Sequence, residues 1–481
     1  ADGSTAMDVA LWTANGSNQT ISGLNFSPDL VWAKSRNTGS TPHLWVDTVR
    51  GASQVLYSHS TGAEQDYSGI SGVISSFNSN GFDTGGNSDI ATNNRTFVGW
   101  AWDAGTSNTS ISVGGLNSSA YDQSQTWSSN TYFNNNGNGY NGSNTITKLF
   151  DGVAGSVSAD GVLPAGSGDF TLDFGTTFSS ASTVTFDLEG GGNSLKVNGS
   201  FVTLPGGSRT TVTYNVSGLS TIQWYHGAGS NYCFLLSIKV DGKELVDNGV
   251  SITTNVPSIA STVRANPSAG FSIVSATAPS SNTSFTLGHG LNATPSFIIF
   301  RQRTASNWAV YHSGIASAET KYLHLNSTNA VGTATTWNNT APTSNVFSST
   351  MSGNWDTNVG LIAYCFAPVE GYSAFGSYTG NGSADGPFVY TGFRPKYLLI
   401  KRTNSSKAWQ VMDTERDSFN VADTSLFPAG SDAEASSSNY DIDFLSNGFK
   451  IRTSHDSRNG SSDTYIYAAF AEHPFKNSRA R

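Results

Sequence analysis

Three stretches of this chain share one ordered pattern. Ser27-Pro28-Asp29-Leu30-Val31-Trp32-Ala33-Lys34, Thr294-Pro295-Ser296-Phe297-Ile298-Ile299-Phe300-Arg301 and Arg394-Pro395-Lys396-Tyr397-Leu398-Leu399-Ile400-Lys401 are each a proline-initiated apolar strand ending in a basic residue. A turn entering a further strand follows in each: Ser79-Asn80-Gly81-Phe82, Ser344-Asn345-Val346-Phe347 and Ser446-Asn447-Gly448-Phe449. Pro28 to Gly81 and Pro395 to Gly448 are both 53 positions, and Pro295 to Val346 is 51. The units close with Phe97-Val98-Gly99-Trp100-Ala101-Trp102, Leu361-Ile362-Ala363-Tyr364-Cys365-Phe366 and Tyr465-Ile466-Tyr467-Ala468-Ala469-Phe470. Alternating small and aromatic residues suit a strand with one face on a core and the other on a neighbour. Units one and three open on the hairpin signals Ala14-Asn15-Gly16-Ser17 and Gly380-Asn381-Gly382-Ser383,. Unit two keeps a polar turn between Val274 and Asn282 without the Asn-Gly pair.

Pro295 to Pro395 is 100 residues, a domain-sized period rather than a solenoid rung,. Pro28 to Pro295 is 267, so 167 residues exceed one period and something is inserted. Between Thr106 and Val250 lie Thr171-Leu172-Asp173-Phe174, Thr183-Val184-Thr185-Phe186, Ser194-Leu195-Lys196-Val197, Thr211-Val212-Thr213-Tyr214, Thr221-Ile222-Gln223-Trp224-Tyr225 and Phe234-Leu235-Leu236-Ser237-Ile238. Short strands at this pitch, separated by glycine-rich turns, read as a β-sandwich or jelly roll. The Asn- and Gly-rich segment Asn134 to Ser143 reads as a surface loop. The expected fold is all-β: tandem β-sandwich-like repeat units of about 100 residues with an inserted jelly-roll-like β-sandwich. The expected boundaries are 1–106 for unit one, 107–250 for the insertion, 251–371 for unit two and 372–481 for unit three.

Composition agrees. The 481 residues are 12% charged and 12% aromatic with a formal charge of −9, and so many aromatic rings in a weakly charged chain argue against disorder. The polar residues are mainly Ser, Thr, Asn and Gly, and the apolar ones aromatic or β-branched, a mixture that favours strands and turns. No apolar run approaches a membrane helix and no basic arm suggests nucleic acid. Two cysteines cannot make a disulfide framework,. Ala1-Asp2-Gly3-Ser4 has neither initiator Met nor signal pattern, which, with the basic tail Asn477-Ser478-Arg479-Ala480-Arg481, is expected of a processed chain or a segment of a longer one.

Catalytic signatures are sparse. The eight histidines have no paired ligand spacing, and there is no zinc signature, P-loop, dinucleotide motif or nucleophile elbow, so neither metal nor cofactor is expected. Cys365 falls where the other units have Ala101 and Ala469, the place of a small buried residue, and Cys233 lies in the insertion. Asp47-Thr48-Val49-Arg50 and Asp413-Thr414-Glu415-Arg416 occupy equivalent places, with His312-Ser313 in unit two. Glycoside hydrolysis would need two carboxyls roughly 5–10 Å apart, but recurrence in two units favours an Asp that caps a turn and pairs with the nearby Arg. Asp441, Asp443, Asp456 and Asp463 are spread along strands and turns and read as solvated. Sugar binding is the better reading, through aromatic rings with amides and hydroxyls on β-sandwich loops. The candidate loop is Trp224 to Tyr232 of the insertion, with Trp224 as core and Tyr225, His226, Asn231 and Tyr232 as binding residues. A calcium ion on loop oxygens is compatible with such folds, but no calcium motif demands one.

The repeat motifs, with Asp47-Thr48-Val49-Arg50-Gly51-Ala52, Val98-Gly99-Trp100-Ala101-Trp102-Asp103-Ala104-Gly105, Val263-Arg264-Ala265-Asn266-Pro267-Ser268-Ala269-Gly270-Phe271, Gly288-His289-Gly290-Leu291 and Glu370-Gly371-Tyr372-Ser373, resemble a repeat of virion proteins of marine tailed bacteriophages, cyanophages in particular. The resemblance covers roughly two thirds of the chain, everything outside the insertion. It implies a non-catalytic structural component on the exterior of a virion, a tail fibre or appendage that contributes to adhesion to host-surface glycans. A capsid decoration or head fibre of the same modules would read similarly. A polysaccharide depolymerase tailspike is a further alternative, disfavoured by the lack of a parallel β-helix rung pattern. The resemblance transfers no catalytic residue. Its implied partners are other virion proteins and a host glycan, and by analogy with phage fibres a homotrimer is expected, although no heptad pattern would enforce one.

Overall fold

Strands with no exposed residue need cover on both faces, whereas antiparallel sheets commonly turn one face to water. Leu30–Ser35 and Phe297–Gln302 are buried throughout, and Pro395–Arg402 is buried except at its last residue. The computed structural model describes residues 5–68, 72–114, 121–153, 155–227, 231–250, 255–350 and 356–472, and it supplies both covers. Both chain ends discussed above, 1–4 and 473–481, lie outside the described residues.

One face is covered within each repeat. In the first, Met7–Thr13 pairs with Thr96–Trp102, which pairs with Leu30–Ser35, which pairs with His43–Asp47. The same antiparallel order recurs in Phe271–Thr277, Gly360–Phe366, Phe297–Gln302 and Ala309–His312, and in Ser373–Thr379, Thr464–Ala471, Pro395–Arg402 and Gln410–Asp413. Each repeat also has a smaller sheet, built on Gln19–Ser22, Gly81–Thr84 and Ile74–Asn78 in the first, Ser284–Gly288 and Val346–Thr350 in the second, and Phe388–Tyr390, Gly448–Ile451 and Ile442–Leu445 in the third. Val31, Ala33, Val46, Phe82 and Ala101 share a core in repeat one, as do Ile298, Phe300, Phe347, Ala363 and Cys365 in repeat two.

The other face is covered by the other repeats. Trp32, Trp45, Trp100 and Trp102, Phe297, Trp308, Tyr364 and Phe366, and Tyr397, Leu399, Trp409 and Phe470 belong to one shared, largely aromatic core. The equivalent residues Trp102, Phe366 and Phe470 meet one another, with ring centroids 6.2, 5.7 and 5.7 Å apart. The closing strands of repeats one and two alternate for this reason, Trp100, Trp102, Tyr364 and Phe366 facing the shared core and Ala101, Ala363 and Cys365 packing within the sandwich,; in repeat three Phe470 faces the shared core and Tyr467 packs on Phe449.

Backbone contacts close the repeats into a head-to-tail cycle. Glu64 N–H donates to Arg303 O, Val331 N–H to Thr403 O and Glu434 N–H to Arg36 O, each at 2.8 Å. The three acceptors each lie eight residues after their strand proline, Pro295, Pro395 and Pro28. The loop of repeat one therefore docks on repeat two, two on three, and three on one, a heterologous interface that closes after three copies. The strand-ending bases serve this joint in two repeats: Arg301 donates to Gly62 O of repeat one, and Lys401 to Thr328 O of repeat two. Their burial pushes Arg301 down to about 10 and Lys401 to about 7.

The chain divides into two compact units, one of 1–113 with 257–481 and the other, 114–256, formed by the insertion. Its two five-stranded sheets enclose a core that includes Trp127, Phe170, Phe186, Ile222, Trp224 and Leu235, a jelly-roll-like sandwich. The three tandem units share one core. One expected boundary changes: the second repeat begins before the insertion, because Asn108–Ile111 pairs with Ser261–Asn266. That strand is polar and largely exposed, so it carries no apolar signal to place the boundary beyond 106.

Three buried histidines make the cycle acid-sensitive. Burial lowers His289 and His312 from the ordinary 6.5 to about 4 and holds His43 well below 6.5 too. A folded-state pKa below the unfolded one means that the unfolded chain takes up protons first, so this stability is intact above 6.5 and lost as pH falls from 6.5 towards 4. His289 and His312 are each expected to lose about 3 kcal/mol over that window. Asp29, raised to about 6 chiefly by burial despite its Arg264 partner, opposes this more weakly. The melting temperature should therefore fall between pH 7 and pH 4.5, and a flat profile would contradict neutral buried imidazoles.

Candidate functional site

Register on one sheet of the inserted unit brings together residues scattered over 90 positions of sequence. Phe133–Asn134, Asp169–Phe178, Leu219–Tyr225, Leu195–Val197 and Ser200–Phe201 are neighbours in that order. Pairing aligns Asn134 with Thr171, Thr171 with Gln223, Gln223 with Lys196 and Lys196 with Phe201. Asp169 pairs with Tyr225 in the adjoining row. Because side chains alternate along a strand, these all project from the outer face, while Phe170, Leu172, Leu195, Ile222 and Trp224 turn inward as core.

The row is chemically ordered. The Lys196 ammonium stands 4.5 Å from the Phe201 ring centroid and 5.3 Å from that of Tyr225, and the two rings are 6.1 Å apart. Phe201 is 52% exposed. Tyr225 Oη donates to Gln223 Oε1 at 2.6 Å, and Gln223 Nε2 and Asn136 Nδ2 both donate to Asp169 Oδ2 at 2.6 Å. An aromatic–cation end thus grades into a carboxylate–amide end, a surface that can stack on an apolar ring face and hydrogen-bond hydroxyls beside it. The Asn- and Gly-rich segment expected as a loop is largely that, but it is pinned to this face through Asn136 and Asn138.

Of the four residues singled out from sequence, His226 and Tyr232 form an antiparallel bridge across the loop, with Asn231 beside them, while Tyr225 stands on the outer row. Tyr225 belongs to the row. His226 Nδ1 is 3.0 Å from Pro164 O, a bond that holds the ring as a tether. Tyr232 begins the strand Tyr232–Val240 of the opposite sheet, paired with Gly191 and 5.7 Å from Phe234. Asn231 is exposed, its backbone O accepting from Gly227 N–H. The chain changes sheets across this loop, which separates Tyr225 from Tyr232. Ala228, Gly229 and Ser230 lie outside the described residues. Sequence reading missed Lys196, Phe201 and Asp169, outward residues of other strands, and Gln223, two residues before Tyr225 on its own strand.

Elsewhere the carboxylates are engaged. Asp47 Oδ2 accepts from Arg50 Nε at 2.5 Å and from Tyr364 Oη of repeat two at 2.8 Å. Asp413 Oδ2 accepts from Arg416 Nε at 2.6 Å and from Trp100 Nε1 of repeat one at 3.0 Å. Both Asp–Arg turns are therefore joints between repeats. Asp456 and Asp463 bind Arg402, and Asp443 lies 3.4 Å from Arg452. Cys233 and Cys365 are buried and unpaired, with burial pushing both thiols up. Among the described residues no cluster of His, Cys, Asp or Glu could hold a metal, and no helix is long and apolar enough to cross a membrane.

A comparison with protein families gives a match over residues 2–155 and 245–474, about four fifths of the chain. The chain belongs to the DUF7483 family, a domain of unknown function. No curated protein matches it. The DUF7483 match takes in all three repeats and passes over 156–244, which holds Asp169, Lys196, Phe201, Gln223 and Tyr225. Apart from Asn134 and Asn136, the candidate face therefore lies in a part of the chain that the DUF7483 match does not cover.

Repeat three differs from its siblings in one exposed feature. The outer face of its smaller sheet carries Phe388, 45% exposed, and Tyr390, 60% exposed. The Gly81, Val346 and Gly448 pairings place Ser22, Gly288 and Tyr390 in register, and Thr20, Thr286 and Phe388 two residues before them. Phe419, 85% exposed, and Val421 lie on the segment beside Ile442–Leu445.

Proposed function

We propose that this DUF7483 protein is a non-catalytic structural component of a bacteriophage virion, part of a tail fibre or appendage, that adheres to host-surface glycans through the inserted unit. The virion assignment is supported by the resemblance of the repeat motifs to marine phage virion proteins. The adhesion assignment is carried by one observation, the outward row Phe201, Lys196, Tyr225, Gln223 and Asp169, where two aromatic rings, a cation, an amide and a carboxylate stand on adjacent strands. A shallow sheet face of this kind offers contact area and hydrogen bonds without enclosing a reacting bond, which suits binding rather than turnover.

The closed cycle of repeats bears on assembly. A homotrimer is what the fibre resemblance implies, but a head-to-tail interface already satisfied three times within one chain has no open end for another copy. We read one chain as doing what three would do in a homotrimeric fibre.

The test is binding of the purified chain to host and non-host cells. Selective binding is expected, reduced at least tenfold by Tyr225→Ala and by Phe201→Ala, with Tyr232→Ala close to the parent. Binding lost only on Tyr232→Ala would move the site to the opposite sheet, and no binding at all would sink adhesion. A second reading, capsid decoration or anchoring to another virion protein, is favoured by the exposed Phe388, Tyr390, Phe419 and Val421 of repeat three. Under it, Tyr390→Ser with Phe388→Thr, the residue types of repeat one, should abolish incorporation into particles while leaving cell binding unchanged.

A further inference from the structure

The three joints of the cycle are not alike, and the chain provides its own control. At the joint of repeats one and two, Glu64 sits between Arg50 of its own repeat and Arg303 of the next, with Arg50 Nη1 2.8 Å from Glu64 Oε2 and Arg303 Nε 2.9 Å from Glu64 Oε1. At the joint of three and one, Glu434 sits between Arg416 and Arg36, at 3.5 and 2.9 Å. The backbone register fixes the equivalents at the joint of two and three: Val331 stands for the Glu and Thr403 for the incoming Arg. Ile315, three residues after His312, stands for the turn Arg, as Arg50 and Arg416 lie three after Asp47 and Asp413. All three members of the charged triad are thus replaced together.

Where the triad is missing, a cleft of about 490 Å³ opens, lined by Ile315, Val331 and Thr403 themselves. Its far wall is the edge strand Ser373–Thr379, whose Ser377 and Thr379 are exposed beside Tyr378. Tyr378 is stacked on Tyr465, 4.9 Å between centroids, and its hydroxyl donates to Arg458 O, so this wall is rigid. Asn404 and Thr464 complete the rim. Among the described residues no Asp, Glu, Lys, Arg or His side chain lines the cleft. The size is that of a small-molecule site. An apolar floor, tyrosines and a rim of hydroxyls and one amide suit a ligand with an apolar face and several hydroxyls, and the absence of lining charge disfavours an ionic one, which would be desolvated without a partner.

We propose that the cleft between repeats two and three is a binding site for a single uncharged sugar ring, created by replacing the Arg–Glu–Arg triad of the other two joints with Ile315, Val331 and Thr403. This site is separate from the face on the inserted unit and does not rest on it.

The full chain is titrated by ligand-observed NMR with glucose, galactose, mannose and N-acetylglucosamine, and with glucuronic acid as the charged comparison. At least one neutral sugar is expected to bind at one site per chain, and glucuronic acid at least tenfold more weakly. Val331→Glu with Thr403→Arg, which installs the pair found at the other joints, should fill the cleft and lower that affinity at least tenfold while preserving the melting transition. Thr379→Trp, at an exposed position of the edge strand, fills the cleft without touching the joint and should do the same, so misfolding of the double variant leaves the question decidable. The titrations are run in the Tyr225→Ala background, which removes the inserted face as a competing site and keeps failure of this site distinct from failure of that face. Absence of binding by all four neutral sugars, or unchanged affinity in Thr379→Trp, would overturn the proposal.

Discussion

Trp100→Ala should lower the unfolding free energy of the repeat cycle by about 4 kcal/mol, towards the upper part of the range for truncating a buried tryptophan. The cost comes from two repeats at once. The Trp100 ring lies 5.0 Å from Trp32 of its own repeat and 5.9 Å from Tyr397 of repeat three, and its Nε1 donates to Asp413 Oδ2. Arg416 sits over the ring at 5.6 Å, so truncation removes apolar contact, a hydrogen bond to a buried carboxylate and a cation–π contact together. Denaturant unfolding followed by tryptophan fluorescence is the readout. A loss below about 1 kcal/mol, the scale of an ordinary substitution, would mean that the aromatic face of this strand is not buried between repeats.

Asp47→Ala should cost about 3–5 kcal/mol, the range for removing one member of a buried ion pair. Arg50 and Asp47 have fully buried side chains. Removing the carboxylate leaves the guanidinium with Glu64, the carbonyls of Trp45 and Gln54 and the Tyr364 hydroxyl, and leaves that hydroxyl without its acceptor. Because Tyr364 belongs to repeat two, the coupling crosses a joint. A double-mutant cycle of Asp47→Ala with Tyr364→Phe should show an interaction energy above about 0.5 kcal/mol, and strict additivity would contradict the joint.

The repeat, its period, the sandwich character and the existence of an insertion were legible because each depends on local alternation and on spacing. The shared core was not. Trp100 and Trp102 announce an apolar face, but an apolar face packed on the chain's own hairpin reads the same as one packed on another repeat. The order of the cycle was hidden for a related reason: Arg36 meets Glu434 across 398 positions, and Arg303 meets Glu64 across 239. Comparing the three repeats residue by residue at the end of the proline strand would have exposed Arg36 and Arg303 against Thr403, yet only the loop partners explain why that difference matters. In the insertion, Tyr225 was readable as an aromatic at a strand end. Lys196, Phe201 and Asp169 were readable as outward residues by alternation, but strand order decides which of them adjoin Tyr225. Tyr232, close in sequence, is separated from it because the chain changes sheets.

The most direct measurement is the mass of the purified 481-residue chain in solution by light scattering, combined with a tryptophan-monitored unfolding curve for the chain and for Trp100→Ala. A closed cycle within one chain requires a mass near 50.6 kDa, independent of concentration, and a single transition for the three repeats that moves as a whole in the variant. A stable species of three chains, or repeat transitions that separate and leave two of them unmoved by Trp100→Ala, would contradict it.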